Sequence, residues 1–512
     1  MEGPKNQPTA LPEIDAPDFA YSRSLSWDGC RDIRVIKLLP LDPQSSSNLK
    51  LEIELEEVNI DQNPEYQAIS YCWGIQKPRI PILCNSAKLM IRDNLALVLW
   101  HLRQHLSDPI RLWADAICIN QSDNKEKGIQ VEMMRDVYRT ASKVHVWLGI
   151  DKPEWDIACG FSFLEAISEA VKDVDFDNVR QLVQCSLPIR KVFDPDYYEH
   201  LLYLLSYPWF SRVWIIQEVA LSHDAVVHCG NSQIEWRTML NALWLLYQAG
   251  YLRFIGWFDM KRIMDDTLPT LDFFITTCIE NWRSTEGSGL FNLLVRHRSA
   301  RATDARDKVY GLLGLVTNNT NLGMKPNYQI GVADVYFDVA VSIIKHSENL
   351  DILSVPRHID AKIQLPSWVP DWSAGPSSDI LGDLATSGLR KYKASGGTTS
   401  TGCTVVGRQF LEAQALILDE IEEIGANICA DANSTKSIQG FWQFLLTSSF
   451  TCDIISDWRR KFKCSRDKLY PNGMDSLEVF QRLLFTEDVY EKGSIKHARM
   501  CYWNVRVTEC LS

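Results

Sequence analysis

Residues 111–148 read RLWADAICINQSDNKEKGIQVEMMRDVYRTASKVHVWL, and this stretch decides the fold class. Arg111 to Ile119 is a run of strand-forming residues whose one charged interior position is Asp115. Asn120 to Asp123 is turn chemistry. Asp123 with Glu126 three residues on is a capping-box pattern. Ile129, Met133, Val137 and Ala141 then recur at helical spacing, and Val144, Val146 and Leu148 alternate into a second strand closed by Gly149. Strand, helix, strand at this length is a βαβ unit, with parallel strands and a right-handed crossover. Such α/β sheets bind ligands beyond the carboxyl ends of their strands, which is where Asn120 and Gln121 fall.

Working outward, Tyr66 to Trp73 is a strand ending at Gly74, so Tyr71 and Trp73 sit at another carboxyl end. Ile80–Leu83 and Leu89–Ile91 flank Cys84-Asn85-Ser86 as a hairpin, and Asp93 or Asn94 can cap a helix to about Leu106. Ile33–Leu39 and Leu51–Val58 form an earlier hairpin. The organisation expected is an irregular arm at 1–30 carrying Pro4, Pro8, Pro12 and Pro17, a β-hairpin extension at 31–65, and an α/β domain at 66–220. A mainly helical region follows at 221–393, then a smaller α+β region at 394–512. In the last, Phe410 to Ile424 is apolar strand or helix. Pro208-Trp209-Phe210-Ser211 opens a helix, and Asp307 with Lys308 makes an ion pair at a helix start.

Composition narrows the function. The 512 residues are 46% hydrophobic and 23% charged, with a formal net charge of -12, which excludes a disordered chain and disfavours a general nucleic-acid binder. The 14 cysteines are scattered without C-x-x-C spacing and read as free thiols of a reducing compartment. No secretory signal and no membrane span is legible, so a cytoplasmic protein without an integral membrane segment is expected. Walker, dinucleotide-fingerprint, nucleophile-elbow and zincin motifs are absent. His101 and His105 have metal spacing but no third ligand, so no metal or resident cofactor is expected. Arg459 to Lys463 is a solvated basic run.

Four ordered blocks resemble the fungal heterokaryon-incompatibility (HET) domain: Tyr66 to Gly74 (YQAISYCWG), Leu112 to Gln121 (LWADAICINQ), Glu126 through Val146-Trp147-Leu148-Gly149, and Pro208 to Glu218 (PWFSRVWIIQE). Arg306 to Gly314 (RDKVYGLLG) and Leu365 to Ser373 resemble segments found downstream in such proteins. The resemblance implies self/non-self recognition and programmed cell death, acting through self-association of the HET domain, with a protein partner sensed downstream. Relatives often continue into a β-rich C-terminal segment, so the C-terminal region is expected to be truncated or divergent. The HET domain is in turn remotely similar to the TIR fold, a flavodoxin-like parallel sheet, here carrying hairpin insertions.

Some TIR domains cleave NAD at the nicotinamide bond, which makes NAD a candidate substrate and Glu218 the candidate catalytic carboxylate. Trp214 precedes Glu218 by four residues, which puts both on one helix face. Tyr71, Trp73 and Trp214 are stacking candidates, and Asp115, Asn120 and Gln121 could hydrogen-bond ribose or carboxamide. Each has a structural reading beside this one. Glu218 would pair with Arg212 or face solvent, Trp73, Trp113 and Trp214 would anchor the core, and Asp115 would cap a backbone or pair with Arg111 or Arg135. Three functions stay open: a cell-death effector, an NAD glycohydrolase, and a non-lethal accessory protein of a biosynthetic gene cluster.

Overall fold

A computed structural model describes residues 14–25, 30–41, 51–74, 79–151, 155–170, 195–248, 274–275, 277–278, 289–316, 323–347, 350–355, 363–374 and 403–413. All of them belong to one compact unit. The expectations for 1–13, the Arg459 run and nearly all of 394–512 lie outside the described residues.

The frame is a nine-stranded mixed sheet. Its strands are β1 (Asp32–Leu38), β2 (Glu52–Asn59), β3 (Gln67–Tyr71), β4 (Arg79–Cys84), β5 (Ala87–Arg92), β6 (Ile110–Trp113), β7 (Val144–Gly149), β8 (Ala225–Cys229) and β9 (Ser232–Glu235), in the order β5-β4-β2-β1-β6-β3-β7-β8-β9. The centre, β6-β3-β7-β8, is parallel. In β7 (VHVWLG) every residue but the last is buried, and β8 is buried throughout, as strands covered on both faces must be. The fold is α/β. β6 and β7 are both parallel to β3, which lies between them.

Three sequence expectations change here. The sheet is mixed rather than parallel, because the two hairpins are not side insertions but extend it. β1 pairs antiparallel with β6, and β2 carries β4 through two parallel rungs, Glu52↔Leu83 and Ile53↔Cys84. The hairpin turn between β4 and β5 is confirmed by positive φ at Asn85 (48°) and Ser86 (64°), the geometry of a tight primed turn. Second, β8 and β9 lie in the stretch read as mainly helical: AVVHC is short and apolar, and only its pairing with β7 distinguishes a buried strand from a helix. Third, the arm is irregular but not loose. Phe19 N–H donates to Lys88 O (2.8 Å) and Lys88 N–H to Pro17 O (2.7 Å), so the arm covers the edge of β5. Tyr21 reaches Ile117 O (2.9 Å), and Leu25 is fully buried.

The helices that position the site are α1 (Asp93–Gln104), the single turn α2 (Asp115–Cys118), α3 (Asn124–Thr140), α4 (Ile157–Ala170), α5 (Pro195–Leu205), α6 (Ile215–Ala220), α7 (Trp236–Gln248), α8 (Leu290–Arg296), α9 (Asp307–Leu313) and α10 (Val332–Ser347). Asp123 caps α3 as expected, accepting from the N–H groups of Lys125 (3.0 Å) and Glu126 (3.1 Å). Glu126 does not reciprocate. It is fully buried and takes a two-toothed grip from Arg34, Nη1–Oε1 2.6 Å and Nη2–Oε2 3.2 Å. Two backbone donors complete its shell, Asn120 N–H (2.7 Å) and Leu25 N–H (2.9 Å).

Trp113, Trp147, Trp209 and Trp372 are all fully buried, so Trp113 is a core anchor. Among the described residues no helix is long and apolar enough to cross a membrane.

Candidate functional site

The site exists because β6 stops early. It pairs with β3 only at Gln67↔Leu112 and Ala68↔Trp113. On the other side β3 pairs with β7 up to Tyr71↔Trp147. The last residues of β3, Ser70 and Tyr71, therefore have no strand on their β6 side. The stretch expected to run as strand to Ile119 instead leaves the sheet at Ala114 and makes the turn α2. Asp115 opens that turn rather than standing inside a strand.

The freed edge is taken up by side chains. Arg212 Nη1 donates to Tyr71 O at 2.5 Å, replacing the missing strand. It can do so because the helix expected from Pro208 is broken: a 3-10 turn covers Pro208–Ser211, Arg212 is extended (φ -79°, ψ 141°), and α6 starts only at Ile215.

Beneath Arg212, Ser70 Oγ donates to Glu218 Oε2 at 2.5 Å and accepts the Trp209 indole N–H at 2.8 Å. A hydroxyl that donates and accepts at once is polarised along the chain. Glu218 is 3% exposed, so it does not face solvent, and it feels the Arg212 charge without a contact of ion-pair length. Burial pushes its carboxyl up to about 7, against the charge of Arg212 and the Ser70 bond, which favour the anion. A carboxyl that titrates near neutrality is suited to acid–base or electrostatic work.

Half-buried Asp115 receives the Trp73 indole N–H at both oxygens (2.8 and 3.0 Å), not Arg111 or Arg135. Arg111 instead pairs with Glu56 at 2.9 Å. Burial raises the Asp115 pKa, and Arg212 opposes the rise. The Arg92 guanidinium lies 4.8 Å from the Trp73 ring, a cation–π contact.

The Tyr71 hydroxyl is buried without a hydrogen bond of ordinary length. Burial, then the nearby Asp115 charge, push its pKa well up. Asp115 reaches it only weakly, so a ligand that bonded the hydroxyl fully would recover part of the roughly 1–3 kcal/mol that an unsatisfied hydroxyl costs.

The structure thus brings together Tyr71, Trp73, Asp115 and Glu218. It does not bring in the other three candidates. Trp214 Nε1 donates to Asp307 Oδ2 at 3.0 Å, so it points to α9 although Glu218, four residues on, points to Ser70. Gln121 Nε2 holds Asp115 O (2.8 Å), a support of the turn. Asn120 Oδ1 accepts from Ser122 within its own turn.

Sequence reasoning missed Ser70, Trp209 and Arg212 as site residues. All three lie inside the quoted blocks, but nothing in their spacing says that the helix breaks at Arg212. Asp307 and Lys308 do not pair with each other. Asp307 accepts from Trp214 and from Tyr328 OH (2.7 Å), and Lys308 donates to the carbonyls of Arg298 (2.8 Å) and Ala300. His101 stacks near His105, His228 and Trp147 (ring centroids 5.1–5.2 Å), and His228 is hydrogen-bonded to His145 at 3.1 Å. Among the described residues no group of His, Cys, Asp and Glu has the geometry of a metal site.

Every residue of the cluster lies in a segment that matches a known profile. Residues 66–218 match the heterokaryon incompatibility protein (HET) family, so this segment of the chain is a HET domain. Over 485 aligned positions it is 28% identical to heterokaryon incompatibility protein 6, OR allele, of Neurospora crassa, covering 80% of this chain and 68% of that one. No solved structure matches the chain.

Proposed function

We propose that the protein is an effector of fungal self/non-self recognition that triggers cell death when its HET domain self-associates. In this reading it acts in the cytoplasm, and the region beyond the domain senses a protein partner. One observation carries it: separated HET blocks converge, through β3, α2 and α6, on electrostatically coupled polar groups at the carboxyl end of β3. The name of the Neurospora relative supports incompatibility over an accessory role beside a biosynthetic cluster. The net charge of -12 argues against nucleic acid as the partner.

A second reading concerns how death would be brought about. Glu218, held near neutrality beside Arg212, favours NAD cleavage in the manner of TIR-like enzymes. Nicotinamide leaves as a neutral molecule from a cationic ribosyl bond and needs no general acid. A single carboxylate would stabilise the oxocarbenium-like transition state. Water then takes the ribose carbon and releases one proton. Trp73 would stack on a ring, and Tyr71 and Asp115 would bind ribose hydroxyls. No resident cofactor is needed.

Inducible expression of the full chain in a fungal host tests both readings, with growth and cellular NAD followed together. Growth arrest with NAD loss, both abolished by Glu218→Gln, supports the enzyme. Growth arrest without NAD loss leaves an assembly module, and association is then read by light scattering. No arrest at any expression level rejects the effector reading.

A further inference from the structure

The segment Arg306 to Gly314, which the sequence set apart and the profile leaves out, packs on the site from behind. Arg301 N–H donates to Ser211 O (2.5 Å) and Val213 N–H to Arg301 O (2.9 Å), a two-bond clasp astride Arg212. This clasp coincides with the break that lets Arg212 reach β3. Lys308, 8% exposed, fixes the clasp strand by donating to the carbonyls of Arg298 and Ala300. A buried ammonium that touches carbonyls and meets a carboxylate, Asp371, only through space is costly, and burial lowers its pKa to about 8.

One turn on, a side chain at Gly311 would press on Val213, which would have to give by a few tenths of an ångström. A Cβ there would lie 3.2 and 3.3 Å from the two methyls of Val213 and 3.6 Å from Trp214. A Cβ at Gly314 would run into Gln217 Oε1. Asp307, 9% exposed, holds Trp214 at the head of α6. The chain after α9 then lies along α3: a Cβ on Gly128 would meet Pro326 O at 2.9 Å, and the Lys127 ammonium lies 4.1 Å from the Tyr328 ring centroid.

We propose that residues 301–314 are part of the site, with Asp307, Lys308 and Gly311 as positioning residues that hold Arg212 and Glu218 in the cluster. They touch no reacting group. They act by locking the extended backbone at Arg212 and the direction of α6. The functional unit of this chain therefore runs beyond the matched residues to at least Gly314. The clasp would hold Arg212 whether or not the chain cleaves NAD.

The test is the protonation of the Glu218 carboxyl in the full chain. It is followed by infrared difference spectroscopy against pH, with Glu218→Gln subtracted to assign the band. Arg212 lowers this carboxyl's pKa, Asp115 raises it, and Tyr138 and Cys72 share the same field. Loosening the clasp withdraws Arg212, so the midpoint should rise by about half a unit or more in Lys308→Met and in Gly311→Ala. Val213→Ala added to Gly311→Ala makes room for the new methyl and should return the midpoint to the wild-type value. A role confined to stability would lower the melting temperature in both variants and leave the midpoint where it was. Folded variants whose midpoints match wild type, or a double variant that fails to recover, overturn the proposal.

Discussion

Glu126 and Glu218 are both buried on helices packed against the same sheet, and the protein treats them in opposite ways. Glu126 spends every oxygen on a donor: two guanidinium nitrogens and two backbone N–H groups. Burial alone would push its pKa up, but these bonds outweigh burial and hold it below the usual range. Glu218 has one hydroxyl and an arginine acting through space, and its carboxyl sits near neutrality. A carboxylate saturated with donors holds a structure together. One that is buried and under-supplied stores free energy that a ligand or a reaction can use.

The largest effect is expected at Arg34. Arg34→Met leaves Glu126 buried and unpaired and should cost about 3–5 kcal/mol in denaturant unfolding. Adding Glu126→Leu should return most of that. If the double variant is as unstable as the single, the pair is not what holds the arm and α3 together.

Next comes Glu218→Gln, where the opposite sign is expected. The folded pKa of about 7 lies above the ordinary 4.5, so the native state binds the extra proton between these values. Stability from this group is complete below pH 4.5 and is lost as pH rises through 7. At pH 8 the amide should therefore stabilise the chain by about 1–3 kcal/mol, and at pH 4.5 the difference should vanish. A variant that is more stable yet inactive would mark Glu218 as functional.

Ser70→Ala sharpens the contrast further. It removes the one hydrogen bond to Glu218 and leaves the Trp209 indole unpartnered, for a loss of about 1–2 kcal/mol and a higher Glu218 titration midpoint. Tyr71→Phe should be the mildest. Its hydroxyl has only the weak contact with Asp115 to lose, so stability should stay within about 0.5 kcal/mol of wild type while ligand affinity falls. A loss of 2 kcal/mol or more, measured by the same unfolding curves, would show instead that the hydroxyl is structural.

The elements that carry local patterns were legible before the structure. The β1–β2 and β4–β5 hairpins, the Asp123 cap, α3 and β7 are all set by alternation, helical spacing or turn residues. Of the candidate site residues, Tyr71, Trp73, Asp115 and Glu218 do lie near one another at the end of β3. What failed was whatever depends on a distant partner. AVVHC at β8 has no periodicity of its own. The end of β6 at Trp113 is decided by how far β3 outruns it. Glu126 reads as half of a capping box because nothing near it says that Arg34, 92 positions earlier, will claim it. The fates of Trp214, Asp307 and Lys308 are fixed by tertiary packing in the same way.

The clasp at Arg301 also sets an order of events during synthesis. Glu218 leaves the ribosome about 80 residues before Arg301 does, which at roughly 5–20 residues per second is an interval of several seconds. Over that time the strands of the site can pair, yet the segment that fixes Arg212 has not been made. A nascent or prematurely terminated chain would then carry all the HET blocks without a finished site, so a protein whose proposed task is to kill would be harmless until most of it had been translated.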